Sequence, residues 1–252
     1  MSRRWGVIPA AGLGTRIQPL AFSKELLPVG TRHDGQTERP LAVCEYLLER
    51  MLTAGATRVC FVISPAKTDI MSYFGGQIGN ASICYAVQQN PNGLCDALFS
   101  ALPFIAAEDE VLVGLPDTIW FPVEGFELLP DGLLSFLLFP VAQPELFDAV
   151  ITDDIGYVQE IQVKQRGAAS EWIWGAFKLS GRVMADLLRI WCERGKCDQY
   201  VGTLVNAYLR QGGTAIGVKR GDTYVDVGTL HGYREAVRLL SSNQIAYHEV
   251  ER

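Results

Sequence analysis

Residues 10–30, "AAGLGTRIQPLAFSKELLPVG", place Gly12, Gly14, Arg16 and Lys24 behind an apolar run, Trp5 to Pro9, that reads as a strand. Gly12 and Gly14 let the backbone approach a ligand, and successive N–H groups in such a turn can converge on anionic oxygens. Ile17 stands where a dinucleotide fingerprint needs its third glycine, and the Gly-Lys-Ser/Thr of a Walker A loop is absent, so neither common phosphate motif applies. Arg16 and Lys24 add two cations to the same loop: a guanidinium forks two donors onto phosphate oxygens, while an ammonium acts as a movable point charge. The pair suits a polyphosphate whose charge rises as a bond breaks. From composition alone, a glycine-rich turn with two solvated cations is an equal alternative.

Two carboxylates belong to the same chemistry. Asp117 sits where the apolar run Val111 to Leu115 ends, and Asp226 closes another short strand before Gly228-Thr229. Ligands of open α/β sheets collect at the carboxyl ends of strands. Mg2+ takes one or two carboxylates together with phosphate oxygens and water, which two aspartates from distant strands can supply. A turn or helix N-cap is the competing role for Asp117, and residue type alone favours it. His33, His231 and His248 fall in no motif that would make one of them a base, and read as structural or surface residues.

The elements that must position these residues form an α/β pattern. The chain has 252 residues, 48% hydrophobic and 20% charged, which supports a large core, and its net charge of -6 argues against a broad nucleic-acid surface. An anionic ligand must therefore be met by a local cluster of cations. No apolar run is long enough to span a bilayer, and Ser2-Arg3-Arg4 is not followed by the apolar stretch of a secretory signal, so no membrane association and a cytoplasmic location are expected. The six cysteines lack metal-like spacing and are expected to be buried free thiols.

Strands are predicted at Trp5 to Pro9, Val59 to Ile63, Ile83 to Val87, Val111 to Leu115, Leu133 to Val141 and Trp172 to Leu179. Ala149 to Thr152 and Tyr157 to Val163 read as a hairpin. Helices are predicted from just after Pro40 to Gly55, near Ala66 to Phe74 and Leu94 to Ile105, and over Gly181 to Arg194, Gln199 to Gln211 and Leu230 to Leu240. No repeat or long linker divides the chain, so one domain over 1–252 is expected.

The motif at Gly12 is similar to the signature of the nucleotidyltransferases that make nucleoside-diphosphate sugars, and "VIPAAGLGTR" resembles the thymidylyl and uridylyl branches. Ser23 replaces the proline common before the lysine. "VQQNPNGLCDAL" (87–98), "VLVGLPDTIW" (111–120) and "YVDVGTLHGYREAV" (224–237) match in the same order, so the resemblance spans nearly the whole chain. It implies a Rossmann-like nucleotidyltransferase fold with a mixed, mostly parallel central sheet flanked by helices and a small β-rich sugar-binding subdomain. Residues 1–125 would form mainly the nucleotide-binding half and 126–252 mainly the acceptor-binding half.

The implied reaction transfers a nucleoside monophosphate from dTTP or UTP to a sugar 1-phosphate and releases pyrophosphate, with Mg2+ held by Asp117 and Asp226. Arg16 and Lys24 would be the catalytic cations. Ala11, Gly12, Leu13, Gly14 and Thr15 would wrap the nucleotide together with Gln88, Pro91 and Gly93. The Gln88 amide can donate and accept at once, matching the edge of uracil or thymine. Lys164 would hold the acceptor phosphate, with Asp148 and Gly175 also in the acceptor set.

Several departures qualify the match. Pro116 replaces a glycine before the metal aspartate and removes a backbone N–H. Glucose-1-phosphate thymidylyltransferases usually carry Tyr-Gly and Glu-Glu-Lys-Pro where this chain has Phe147-Asp148-Ala149 and Gln162-Val163-Lys164-Gln165. The hydroxyl-binding carboxylate thus becomes Val163, and a new carboxylate, Asp148, occupies the glycine position; the alternatives are a one-residue slip of the match or an Asp148 that faces solvent. Two other readings stay open: a same-fold transferase for a non-sugar phosphate such as phosphocholine, and a catalytically silent nucleotide-sugar-binding subunit. No β-helix repeats follow the last helix, so a single activity is expected, compatible with a homo-oligomer.

Overall fold

The computed structural model describes residues 3–90 and 92–250, except the side chains of residues 34 and 242–250. The first half runs β1 (Arg4–Pro9), β2 (Pro28–Asp34), β3 (Thr37–Ala42), α1 (Val43–Thr53), β4 (Arg58–Ile63), α2 (Thr68–Phe74), β5 (Gln77–Ile78), β6 (Ala81–Val87), α3 (Leu94–Ser100), β7 (Glu110–Gly114) and β8 (Thr118–Phe121). The second half adds β9 (Leu134–Pro140), β10 (Asp148–Thr152), β11 (Val158–Val163), β12 (Trp172–Ser180), α4 (Gly181–Glu193), α5 (Val201–Arg210), β13 (Ala215–Val218), β14 (Thr223–Asp226) and α6 (Leu230–Val250).

The expected mixed sheet is present, and its centre is the parallel set β7-β1-β4-β6. Each of these strands reads as a near-continuous apolar run because helices cover both faces. Trp5, Val7, Cys60 and Val62 point toward α3, α4 and α5, whereas Ile8, Val59, Phe61 and Ile63 point toward α1 and α2. β12 joins this centre to the β-rich part: Ala176 to Ser180 pair antiparallel with β7, Ile173 pairs with β10, and β9 runs along most of its length.

A smaller apolar cluster underlies the predicted metal residues. Leu27, Val29, Ile119, Val225, Val227 and Leu240 pack together, holding the β2/β3 hairpin, the two-stranded β8/β14 sheet and α6 against one another.

Several boundaries differ from the sequence expectations. The helix predicted from just after Pro40 starts at Val43, because Pro40 to Ala42 complete β3 against β2. The helix predicted to Ile105 ends at Ser100, and a separate 3-10 turn follows over Leu102–Phe104, with Pro103 unable to donate a helical hydrogen bond. The thiols are free, but Cys192 and Cys197 are exposed rather than buried, because they lie at the outer end of α4 and in the loop after it. Among the described residues no helix is long and apolar enough to cross a membrane.

Candidate active site

The expected residues gather at the carboxyl ends of the parallel strands. β1 leads into Ala10, whose N–H still bonds Val62 O at 2.7 Å, and into a buried Ala11 before the chain turns outward over Gly12, Leu13 and Thr15. Gly14 has φ +65°, and a Cβ there would lie 2.7 Å from Lys24 Cδ, so the glycine admits both the turn and the lysine stem beneath it.

Lys24 is fixed by its neighbours in sequence. Ser23 donates its N–H and its hydroxyl to the Asp69 carboxylate at 2.6 and 2.7 Å. Glu25, fully buried, accepts both hydrogen bonds of the Lys67 ammonium at 2.7 and 2.8 Å. The intervening Lys24 therefore emerges from a 3-10 turn pinned on both sides and places its Nζ 2.5 Å from Asp117 Oδ2. The serine that replaces proline is thereby explained, since a proline could supply neither donor to Asp69.

Asp117 and Asp226 come together through β8 and β14, which pair antiparallel with Asp226 opposite Thr118. Val227 N donates to Asp117 O at 2.8 Å, so Pro116 does not displace the aspartate. Arg16 Nη1 reaches Asp226 Oδ2 at 3.1 Å. A Cβ at Gly228 would stand 2.8 Å from Asp117 Oδ2, 2.9 Å from Asp226 Oδ1 and 3.2 Å from Arg16 Nη2. The bare α-carbon thus leaves a corner onto which both carboxylates and one loop cation converge.

That corner fits a hard divalent cation that takes most of its remaining ligands from phosphate and water. Among the described residues no cluster of three or more His, Cys, Asp or Glu could hold a metal without such help. Burial pushes the Asp117 carboxyl up, but the Lys24 charge and hydrogen bond outweigh it and hold the group below the ordinary carboxylate range. Lys24 is correspondingly raised: burial lowers it, and Asp117 more than compensates.

Two adjoining cavities of about 390 Å³ each open from this point, sharing Pro9, Gly93 and Leu94. The first is walled by Ala11, Gly12, Leu13, Gly14, Thr15 and Gln88. Gln88 is buried, and its Nε2 donates to Asp96 Oδ2 at 2.7 Å and to Gly93 O at 3.3 Å, which leaves Oε1 without a partner among the described residues. Pro91, expected in this set, lies outside the described residues. The second cavity contains Arg16, Lys24, Asp117 and Asp226 at one end and Asp148 and Lys164 at the other.

Asp148 is 9% exposed and lines the cavity wall, which removes the solvent-facing alternative. It pairs with Val163 across the β10/β11 hairpin, and Trp174 Nε1 donates to its Oδ2 at 3.4 Å. Burial drives its carboxyl up to about 6, against the opposing pull of the Trp174 hydrogen bond and the Lys164 charge. Lys164 ends the hairpin with φ 45° and rests its Nζ 4.8 Å from the Tyr200 ring centre. Gly175 does not line the cavity. It sits in a bulge of β12, where a Cβ would strike Phe139 and Tyr224, next to Trp174, which does line the cavity.

Other wall residues are not singled out by the sequence. Trp174, Gln199 and Tyr200, outside the quoted motifs, and Tyr224, at the start of the 224–237 stretch, line the far end of the second cavity. Asp69 and Lys67, outside the motifs, and Glu25 and Asp96, within them, stand behind the expected residues and orient them. His33 and His231 are exposed, as expected, and the His248 side chain lies outside the described residues. A wider groove of about 780 Å³ between β11 and α5 contains none of the expected site residues.

The family model for nucleotidyl transferases matches residues 5–243. A glucose-1-phosphate thymidylyltransferase of Mycolicibacterium smegmatis is 25% identical over 92% of this chain and 80% of its own length. Its counterpart from Neisseria meningitidis is 26% identical over 95% and 83%. Among solved structures, a Bacillus anthracis protein in complex with sucrose superposes with a TM-score of 0.79 at 23% identity, covering 94% of this chain and 95% of that one. The UDP-glucose pyrophosphorylase of Acinetobacter baumannii gives 0.76 at 21% identity, covering 99% and 100%. At those identities the two superpositions establish the fold.

Proposed function

The chain belongs to the nucleotidyl transferase family, and from that premise we propose that it moves a nucleoside monophosphate from dTTP or UTP to a sugar 1-phosphate, releasing pyrophosphate. The observation that carries this reading is the corner at Gly228, where Asp117, Asp226 and Arg16 converge beside Lys24, flanked by one cavity ending in Gln88 and another ending in Lys164. The names of the relatives agree with it, since both are glucose-1-phosphate thymidylyltransferases.

An acceptor phosphate held by Lys164 presents an oxygen that is already anionic, the second phosphate pKa being about 6. A new O–P bond forms at the α-phosphorus while the bond to the bridging oxygen breaks, and pyrophosphate carries the electron pair away. No general base is needed, which agrees with the exposed positions of His33 and His231. Alignment and charge stabilisation remain as the work of the protein.

In the structure Arg16 and Lys24 rest on the two aspartates. Turning those cations onto the β and γ phosphates frees Asp117 and Asp226 to hold Mg2+, which when bound neutralises phosphate charge at the reacting centre. The Gln88 Oε1, left without a partner by the Asp96 contact, is an acceptor suited to the N3–H of uracil or thymine.

A matrix of nucleoside triphosphates against sugar 1-phosphates, with and without Mg2+, scored by pyrophosphate release, tests the reading. Turnover with a pyrimidine triphosphate and a sugar 1-phosphate is expected. Release with none of the sugar 1-phosphates, or strong preference for GTP or ATP, would overturn it.

A further inference from the structure

The acceptor end of the second cavity holds a carboxylate and an ammonium that are not paired with each other. Of its three carboxylates, Asp117 is paired with Lys24 and Asp226 with Arg16, whereas Asp148 makes no ion pair among the described residues. Among the described residues its sole hydrogen bond is the long one from the Trp174 indole at 3.4 Å, which leaves Oδ1 without a donor there. A carboxylate nine-tenths buried and so weakly satisfied is costly in the absence of a partner.

The neighbouring cation does not supply that partner. Lys164 follows β11 immediately after Val163, the residue opposite Asp148, yet it is not within ion-pair distance of Asp148, and its Nζ lies over Tyr200 instead. The cavity between them therefore presents a cation from one strand and an anion from the next. The ligand that neutralises both carries an anion and a cation on one small frame.

We infer that the acceptor is a zwitterionic phosphate monoester, its phosphate on Lys164 and a cationic nitrogen on Asp148. The inference rests on the nucleotidyl transfer reading and narrows its acceptor. Aromatic walls favour the same ligand. Trp174, Tyr200 and Tyr224 line this cavity, and desolvated aromatic faces attract cationic nitrogen.

Two sources share this chemistry, an aminohexose 1-phosphate and an amino-alcohol phosphate such as phosphocholine. The experiment uses wild-type protein and Asp148→Asn, with dTTP and UTP and Mg2+. The acceptors are glucose 1-phosphate, aminohexose 1-phosphates with the amine at C2, C3 or C4, the N-acetyl form of each, and phosphocholine. Pyrophosphate release is read as the ratio of kcat/KM between each cationic acceptor and its counterpart lacking the positive charge, 3,3-dimethylbutyl phosphate serving for phosphocholine.

The expected result is a wild-type ratio of at least tenfold in favour of one amine, lost on N-acetylation for the sugars and reduced at least tenfold in Asp148→Asn. Titration calorimetry of acceptor alone supplies a second readout, in which the same variant loses affinity for the amine more than for glucose 1-phosphate. Asparagine is isosteric, and Asp148→Ser with a thermal melt controls for misfolding.

Preference for phosphocholine over every sugar supports the charge inference and overturns the sugar reading. Efficient use of glucose 1-phosphate with a ratio near one, unchanged in Asp148→Asn and in Asp148→Ser, overturns the charge inference and upholds the sugar reading. No release with any acceptor overturns both.

Discussion

In the proposed reaction Asp117 would tie metal binding and acid stability to one contact, the one with Lys24. Its folded carboxyl is held below the unfolded value because Lys24 outweighs the burial that would raise it. The contribution to stability is therefore complete above about pH 4, the unfolded value, and is lost as pH falls through the lower folded value. Asp117→Asn should flatten that acid limb in denaturant titrations and, with Asp226→Asn, lower turnover by orders of magnitude while circular dichroism stays unchanged. Near wild-type rates in either variant at saturating Mg2+ would remove the two-carboxylate assignment.

Gln88 offers a milder test: removing one well-placed hydrogen-bonding group costs about 1 to 3 kcal/mol. Gln88→Ala should show that loss in kcat/KM for the pyrimidine triphosphate, and inorganic triphosphate binding should barely change. Asp148 differs from Asp117 in sign. Burial raises its carboxyl to about 6, Trp174 and Lys164 opposing. Among the titratable groups that sense it are Lys164, Tyr224 on β14 and Cys95 on α3. Discrimination between an amine and its neutral analogue should accordingly fade as pH drops through about 6; taking the ratio cancels the titration of the phosphate common to both acceptors.

The short turn that carries Lys24 is an element built from two buried attachments. Lys67→Met would leave the fully buried Glu25 without its partner, a change that costs about 3 to 5 kcal/mol when a buried pair is broken. Burial already lifts Glu25 above the ordinary range, with Lys67 opposing, and the variant should lift it further. A raised folded carboxyl costs stability as pH rises, so the variant should lose most at about pH 8 and recover at about pH 4. Chemical denaturation at the two values measures this, and equal losses at both would contradict it.

The same turn shows what the sequence discloses. Gly12, Gly14, Arg16 and Lys24 are legible because their types and spacing are local, whereas Asp69 and Lys67 are not, since their partners stand more than forty positions away. The parallel strands are legible as apolar runs. The β2/β3 hairpin was missed because its strands are largely exposed and carry no apolar alternation; Asp34-Gly35, a common hairpin-turn pair, was the available sign. β8 and β13, four residues each, are too short to show a period. Asp148 is legible as a carboxylate beside the hairpin, but its burial depends on Trp174 and Gly202, which arrive from β12 and α5.

Across the whole molecule the net charge is -6, so three cations converging on one cleft, Arg16, Lys24 and Lys164, form the local cluster that anionic substrates require. One cavity of that cleft is lined by residues of the first half of the chain, the other by residues of both halves, and they share a wall at Gly93. Gly93 has φ +103° and begins α3, and Leu94 N donates to Gln199 O at 2.9 Å across the join. A Cβ at Gly93 would lie 2.8 Å from both the α-carbon and the carbonyl oxygen of Gln199, so relief requires moving backbone rather than a side-chain end. The segment that would move carries Gln199 and Tyr200, which line the acceptor end, and Tyr200 stacks against Lys164. On its other side Gly93 O accepts from Gln88, so the nucleotide end shifts with it. Gly93→Ala should therefore raise KM for the triphosphate and for the acceptor together, whereas Gln88→Ala raises the first alone. A thermal melt separates this coupling from general unfolding, and initial-rate kinetics with each substrate varied in turn reads it. A Gly93→Ala protein that melts as the wild type does and changes KM for the triphosphate alone would show that the two compartments are mechanically independent.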